Sequence, residues 1–240
     1  MFGTIKNQQG ETIDYTFHVS DMSVRQVVVI GHGVTGNKDR PFVIALAEGL
    51  KEAGVNALRF SFSGNGESEG QFEESTVSKE VDDLISVIDT LKNWHVTYAG
   101  HSMGGAVGVL AARQDTRIQR LISLAGMVHT EAFAQREFAD IKPDHGFMWE
   151  EETCPLSQTY MNDMKTIGSV IEKGAGIKVP WLIIHGTEDD VVPIQDSKDM
   201  LQKAPPRVDF VEIPGSDHVF SGDATPVMVK AVTKWLVDTD

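Results

Sequence analysis

Cysteine is almost absent. Cys154 stands alone, so the chain can build no intrachain disulfide, no cysteine-based zinc site and no redox dithiol. Basic charge is scarce as well: 21 Lys and Arg face 35 Asp and Glu, a formal net charge of -14, and the resulting field repels polyanions. Nucleic acid is therefore not an expected partner. No run of about 18 apolar residues occurs, which leaves no membrane-spanning segment to propose. The opening Met1-Phe2-Gly3-Thr4-Ile5-Lys6 lacks the apolar core of a secretory signal, and the expected location is the cytoplasm. No pair of histidines has a metal-binding spacing, and no metal is expected. What is present, 41% hydrophobic and 23% charged residues in 240, is the composition of a single globular domain with a substantial core.

Two extended segments, residues 2–6 and 13–19, flank the turn-like Asn7-Gln8-Gln9-Gly10 and predict an antiparallel hairpin. Val27-Val28-Val29-Ile30 is different: a continuous β-branched run of this kind fits a strand buried on both faces of a parallel sheet. Further strands are predicted at residues 55–62, 96–99, 121–124, 181–184 and 208–213, and helices at residues 41–53, 104–112 and 195–203. Val77, Val81, Leu84, Ile88 and Leu91 recur at spacings of four, three, four and three and mark one helix face. Thr225-Pro226 predicts the cap and first residue of a last helix. Strand and helix alternation on this scale implies an α/β fold, a mostly parallel sheet covered on both sides. The rhythm fails over residues 127–177, where acidic, aromatic and proline residues mix without a strand signal. This stretch is read as an inserted cap, with residues 1–126 and 178–240 forming the core of one domain, and substrate choice is expected to lie largely in the cap.

The chemistry concentrates in Gly100-His101-Ser102-Met103-Gly104, placed between a predicted strand and a predicted helix, the setting in which G-x-S-x-G presents a serine on a tight turn. A serine hydroxyl needs a base to take its proton. In this arrangement the order along the chain is serine, acid, histidine. Of the four histidines after Ser102, only His218 also follows the acidic loop after residues 181–184, so His218 is the candidate base. Glu188, Asp189 and Asp190 compete for the acid; Asp189 ranks first, then Asp190 and Glu188, while Asp217 is too close in sequence to reach its neighbour's ring easily. Two backbone amides should form an oxyanion hole, one from Met103 and one from the loop Gly31-His32-Gly33-Val34-Thr35-Gly36, with Val34 the favoured donor. That loop also spells G-x-G-x-x-G, but the next strand ends Arg59-Phe60-Ser61-Phe62-Ser63 without the acid a dinucleotide ribose needs. No cofactor is expected.

Taken together, His32-Gly33, Phe62-Ser63-Gly64-Asn65-Gly66-Glu67-Ser68, the Ser102 turn and the Asp189 and His218 loops resemble the α/β-hydrolase superfamily over essentially the whole chain. Arg59-Phe60, the Gly64-Asn65-Gly66-Glu67-Ser68 turn and the short cap are similar to bacterial cinnamoyl or feruloyl esterases and related small carboxylesterases. The chain departs from that subgroup at Val34, where members often have Phe, and at Met103, where they often have Gln. The resemblance implies hydrolysis of a small-molecule ester through an acyl-enzyme. It also implies cap residues in contact with the acid moiety, for which Asp144 and Tyr160 are candidates. Thioester, monoacylglycerol and peptide cleavage use the same machinery, and a non-catalytic ligand-binding role is a separate possibility for the fold.

Overall fold

The computed structural model describes residues 2–239. The predicted hairpin forms only in part. Strands β1 (Ile5–Lys6) and β2 (Thr12–Ile13) pair antiparallel, but at Asp14 the chain leaves the hairpin, and β3 (Tyr15–His18) becomes an edge strand of the main sheet. Asp14 marks the exchange: its N–H is bonded to Ser68 Oγ and its C=O to Ser61 N. The main sheet is completed by β4 (Gln26–Gly31), β5 (Asn56–Phe60), β6 (His95–His101), β7 (Ile118–Leu124), β8 (Trp181–Gly186) and β9 (Val208–Ile213). Its order is β3-β5-β4-β6-β7-β8-β9, with β3 antiparallel to β5 and every other pair parallel.

The uniformly apolar strands are explained by cover on both faces. Successive side chains point to opposite faces, so Val27 and Val29 join one buried cluster while Val28 and Ile30 join the other. The same alternation holds on β8, where Trp181 and Ile183 face one way and Leu182 and Ile184 the other. Helices α1 (Pro41–Glu52), α2 (Val77–Thr90), α3 (Met103–Gln114), α4 (Thr130–Phe138), α5 (Gln158–Ile167), α6 (Ile171–Gly174), α7 (Ile194–Lys203) and α8 (Ala224–Asp238) supply the cover. Leu46 and Leu50 of α1 and Met228 and Val232 of α8 close one side; Leu84 of α2 and Val107 of α3 close the other.

Helix α2 follows its periodicity, with Val77, Val81, Leu84, Ile88 and the C-terminal Leu91 all buried. Thr76 starts it by accepting the Lys79 N–H on its side chain. Helix α8 begins two residues earlier than Thr225-Pro226 suggests, with Asp223 at the cap position and Ala224 first. Thr225 turns its hydroxyl to Phe220 O instead of capping, and Pro226 sits in the first turn, where a missing N–H costs no intrahelical bond. Between β7 and β8 lie α4, α5 and α6, and this segment adds no strand to the main sheet. Asp196 of α7 anchors its start by accepting the Val128 and His129 amides.

Leu84 has no exposed surface in the larger cluster. Leu84→Ala should lower unfolding free energy by about 2–5 kcal/mol, read from the midpoint of a urea titration.

Candidate active site

A single residue, Ser102, joins β6 to α3. To turn the chain within that space it adopts φ 52° and ψ −118°, a conformation that strains any L-residue. Two backbone bonds clamp it: its N–H donates to Leu124 O at 3.0 Å, and its C=O accepts from Met127 N at 2.9 Å. The turn closes only because Gly100 and Gly104 lack side chains; a Cβ on Gly100 would lie 2.0 Å from Gly104 O.

The sheet register brings the loop after β4 alongside. Gly31 pairs with Gly100, so the next residues, His32 and Gly33, lie beside His101 and Ser102. A Cβ on Gly33 would sit 2.6 Å from Ser102 Cβ. Neither the Val34 nor the Met103 amide has a hydrogen-bond acceptor among the described residues, and Met103 opens α3, where the amides point out of the helix N-terminus.

The acid and the histidine arrive from the ends of β8 and β9. Asp189 Oδ2 accepts from His218 Nδ1 at 2.8 Å, while Asp189 Oδ1 accepts the Val191 and Val192 amides. Glu188 and Asp190 do not take this place, and Asp217 instead accepts the Ser221 amide. With Nδ1 committed to Asp189, Nε2 of His218 is the nitrogen left for a proton. His218 and Ser102 line one cleft of about 290 Å³ with Gly33, Val34, Thr35 and Trp149. No hydrogen bond joins Ser102 Oγ to His218 in this resting arrangement; such contacts commonly tighten on substrate binding.

A family model described as Hydrolase_4: Serine aminopeptidase, S33, matches residues 22–144, just over half of the chain. The chain belongs to this family of α/β hydrolases. Mitochondrial palmitoyl-protein thioesterase ABHD10 of Bos taurus is 26% identical over 200 residues, covering 78% of this chain and 64% of that protein. The chain thus spans a little under two thirds of that curated relative's length. Est1E from Butyrivibrio proteoclasticus, solved with ferulic acid bound, superposes with a TM-score of 0.88 at 26% identity, covering 98% of each chain. Mouse alpha/beta hydrolase domain-containing protein 10 shares the fold, with a TM-score of 0.83 at 19% identity and 99% coverage of each chain.

Three further histidines stand close to this arrangement, and two of them, His32 and His101, line the cleft. His185 reaches past the backbone: its Nε2 lies 2.8 Å from Val192 O and 3.1 Å from Asp189 Oδ2, and its Nδ1 lies 2.7 Å from Ser197 Oγ. Burial alone would raise the Asp189 pKa, but the hydrogen bonds from His185 and His218 outweigh it and hold the carboxyl well below its usual range. His101 stacks on His218 with ring centroids 4.6 Å apart, and its Nε2–H donates to His218 O at 2.8 Å. Burial, and next the neighbouring His218, push the His101 pKa well down, so this ring is neutral. His32 is neutral for the same first reason, its pKa lowered to about 4 by burial. Its Nε2 accepts the Phe62 amide and its Nδ1–H donates to Gly33 O, which fixes the loop carrying Val34.

The two cap candidates part company. Asp144 is exposed, at φ 63°, and accepts the Gln158 amide at 2.9 Å; it serves a turn and lines no part of the cleft, so its expected substrate contact is not supported. Tyr160 is buried behind Val34 and Met103. His129 pairs with Asp199 at 3.0 Å, away from Ser102. A larger surface groove of about 560 Å³, lined by Ser78, Asp82, Arg113 and Lys173, holds no serine–histidine pair. Among the described residues no group of three or more His, Cys, Asp or Glu side chains is gathered as a metal ion would require, and no helix is long and apolar enough to cross a membrane.

Two outcomes follow from this packing. Gly33→Ala should force the loop off Ser102 and slow fluorophosphonate labelling of the serine by about a hundredfold, with the circular dichroism spectrum unchanged. Between pH 6.5 and about 4 the unfolded His32 is protonated and the folded one is not, so the unfolded state binds more protons and stability falls as pH falls through this window. His32→Gln should remove about 3 kcal/mol of that fall, measured by urea titrations at pH 7 and pH 4.

Proposed function

We propose that this hydrolase cleaves carboxylic esters of small to medium acyl or aryl groups through an acyl-enzyme on Ser102. The observation that carries the reading is the buried Asp189 bonded to Nδ1 of a histidine that shares a cleft with a serine at a strained strand-to-helix turn. Ser102 Oγ attacks the ester carbonyl as His218 Nε2 takes its proton, and Asp189 holds the imidazole and stabilises the imidazolium. The tetrahedral oxyanion accepts the Val34 and Met103 N–H groups. As the C–O bond to the alcohol breaks, His218 returns the proton to the leaving oxygen. Water then attacks the acyl-enzyme by the same steps in reverse order of roles, releasing the acid and restoring Ser102.

Overlap with Est1E, a protein solved with ferulic acid, supports an ester with an aryl acid moiety. The palmitoyl-protein thioesterase among the relatives favours a second reading, an acyl thioester attacked by the same serine. Ser102→Ala should lower turnover by about six orders of magnitude and abolish fluorophosphonate labelling; full activity in this variant would overturn the proposal. Relative kcat/KM values for p-nitrophenyl esters of increasing chain length, methyl ferulate and an acyl thioester separate the two readings. The ester reading expects an oxygen ester to lead, and a thioester hydrolysed far faster than every oxygen ester decides for the second.

A further inference from the structure

The cleft shared by Ser102 and His218 opposes the chain in charge. Its wall also includes Arg40, Phe42, Val191 and Val219, and no Asp or Glu lines it. His32 and His101 are neutral, because burial lowers the pKa of each. Arg40, ionised at every working pH, is therefore the one permanent charge on this wall, in a chain whose formal net charge is -14.

That charge is uncompensated. Among the described residues Arg40 forms no salt bridge, and its one hydrogen bond runs from Nη2–H to Thr35 O at 2.8 Å. The adjacent carboxylate, Asp39, is engaged by Lys38 and Arg59, and α1, which starts just after Arg40, has no acidic residue in its first turn. Away from the cleft the pattern is different: Lys79 meets Glu11, Arg117 meets Asp115 and Arg136 meets Glu137.

A brace to Thr35 occupies one of the five guanidinium N–H donors and leaves the rest without an acceptor among the described residues. The same bond holds the guanidinium beside the loop that carries Val34. Burial is the first cause of the low His32 pKa, and the Arg40 charge adds to it, so the field of Arg40 reaches the loop next to Ser102. The cleft, about 290 Å³, has room for about ten water volumes. A substrate group that meets Arg40 inside it stands only a few bonds from the carbonyl under attack.

We propose that the cleft selects esters that carry a carboxylate a few bonds from the scissile carbonyl, with Arg40 as the residue that binds it. The proposal rests on the ester-hydrolase reading and names the substrate class of that site. The guanidinium fork matches a carboxylate with two parallel N–H donors. A phosphate dianion would bring a second charge that nothing on the wall balances, in the field of an acidic protein, so the single charge is the better fit. Two sources offer the group: the acid moiety, in a half-ester of a dicarboxylic acid, and the alcohol moiety, in an acylated hydroxy acid.

The test measures kcat/KM by pH-stat for two pairs of esters, each a carboxylate against its neutral amide. Monomethyl glutarate against methyl 5-amino-5-oxopentanoate places the charge on the acid side, and 4-acetoxybutanoate against 4-acetoxybutanamide places it on the alcohol side. At least one carboxylate should lead its amide by about tenfold, as a charge-assisted bond inside a cleft allows, and the pair that shows the lead identifies the source. Arg40→Gln should bring that ratio to one or below, and Arg40→Lys, which keeps the charge but not the fork, should retain part of it. Arg40→Glu should invert it in favour of the amide. The ratio is taken within each variant, so a general loss of activity from a displaced loop cancels. Ratios of one or less in both wild-type pairs, or a lead that survives Arg40→Gln, would reduce Arg40 to a brace for Thr35 and overturn the proposal. Failure to cleave any of the four esters while Ser102 is still labelled by a fluorophosphonate would overturn it too. Inactivity towards every ester with no adduct on Ser102 would instead remove the ester-hydrolase reading and this one with it.

Discussion

The close approach of three backbone segments at Ser102 is the constraint on which the site depends. The end of β6, the start of α3 and the loop after β4 come together at distances that leave no room for a Cβ on Gly100, Gly104 or Gly33. Ser102, unlike them, has a side chain, and it carries the strain of the turn, of the order of 1–3 kcal/mol. The cost is tolerable because Ser102 is held on both sides by β7 and the residues that follow it, through Leu124 O and Met127 N. Ser102 is thereby fixed to the middle of a sheet covered on both faces. The sheet order then decides what can reach it: β8 and β9 follow on one side and deliver Asp189 and His218, and β4 on the other side delivers the Val34 loop.

Around this point the molecule relies on imidazoles that stay neutral. His32 and His101 are both fully buried, and burial keeps each from taking a second proton, so each has one N–H to give and one nitrogen free to accept. His32 uses both, tying the end of β5 to the Gly33 carbonyl. His101 gives its proton to the His218 backbone and lies against the His218 ring, so the turn that carries the serine also sets the position of the histidine loop. Protonating either ring would break a bond in which a ring nitrogen accepts, or place a charge against His218. Asp189 has the opposite requirement. It must stay ionised although its side chain is fully buried, and two histidines and two backbone amides supply enough donors to keep it so.

The sheet was legible because a strand buried on both faces must be apolar throughout, and Val27-Val28-Val29-Ile30 admits no other environment. Ser102 and His218 were legible as candidates because chain order and strand ends restrict them, and both line the same cleft. Asp189 was only one of three adjacent carboxylates, since its selection depends on the Val191 and Val192 amides curling back towards its side chain, and sequence does not encode that curl locally. Asp144 was a candidate only through the family resemblance, and here it closes a turn at Gln158 and does not line the cleft. The hairpin was read as continuous because Asp14 carries no mark of the exchange of partners; the hydroxyl and the amide N–H that receive it come from Ser68 and Ser61, more than 40 residues away. Glu80 escaped attention altogether. A glutamate in a helix is ordinarily solvated, and only the tertiary structure shows α2 turning it inward beside Val81 and Leu84.

Glu80 also lines a small cavity behind Val34 and Met103. The insertion between β7 and β8 contributes Met148 and Tyr160 to the inner cavity, but Glu80 and Ser75 come from the α2 region, and Val34 and Met103 from the turns beside Ser102. The cavity wall is therefore shared between the segment after β7 and the fold's core. Nor is Glu80 free to vary with its surroundings: it lies one helical turn from Asp83, whose carboxylate receives Asn7 from the hairpin and Ser63 from the loop after β5. Removing Asp83 would loosen that junction and at the same time weaken one of the forces that raise the Glu80 pKa. The hydrogen-bonding state of the cavity is in this way coupled to the packing of the N-terminal hairpin, although no hairpin residue lines the cavity.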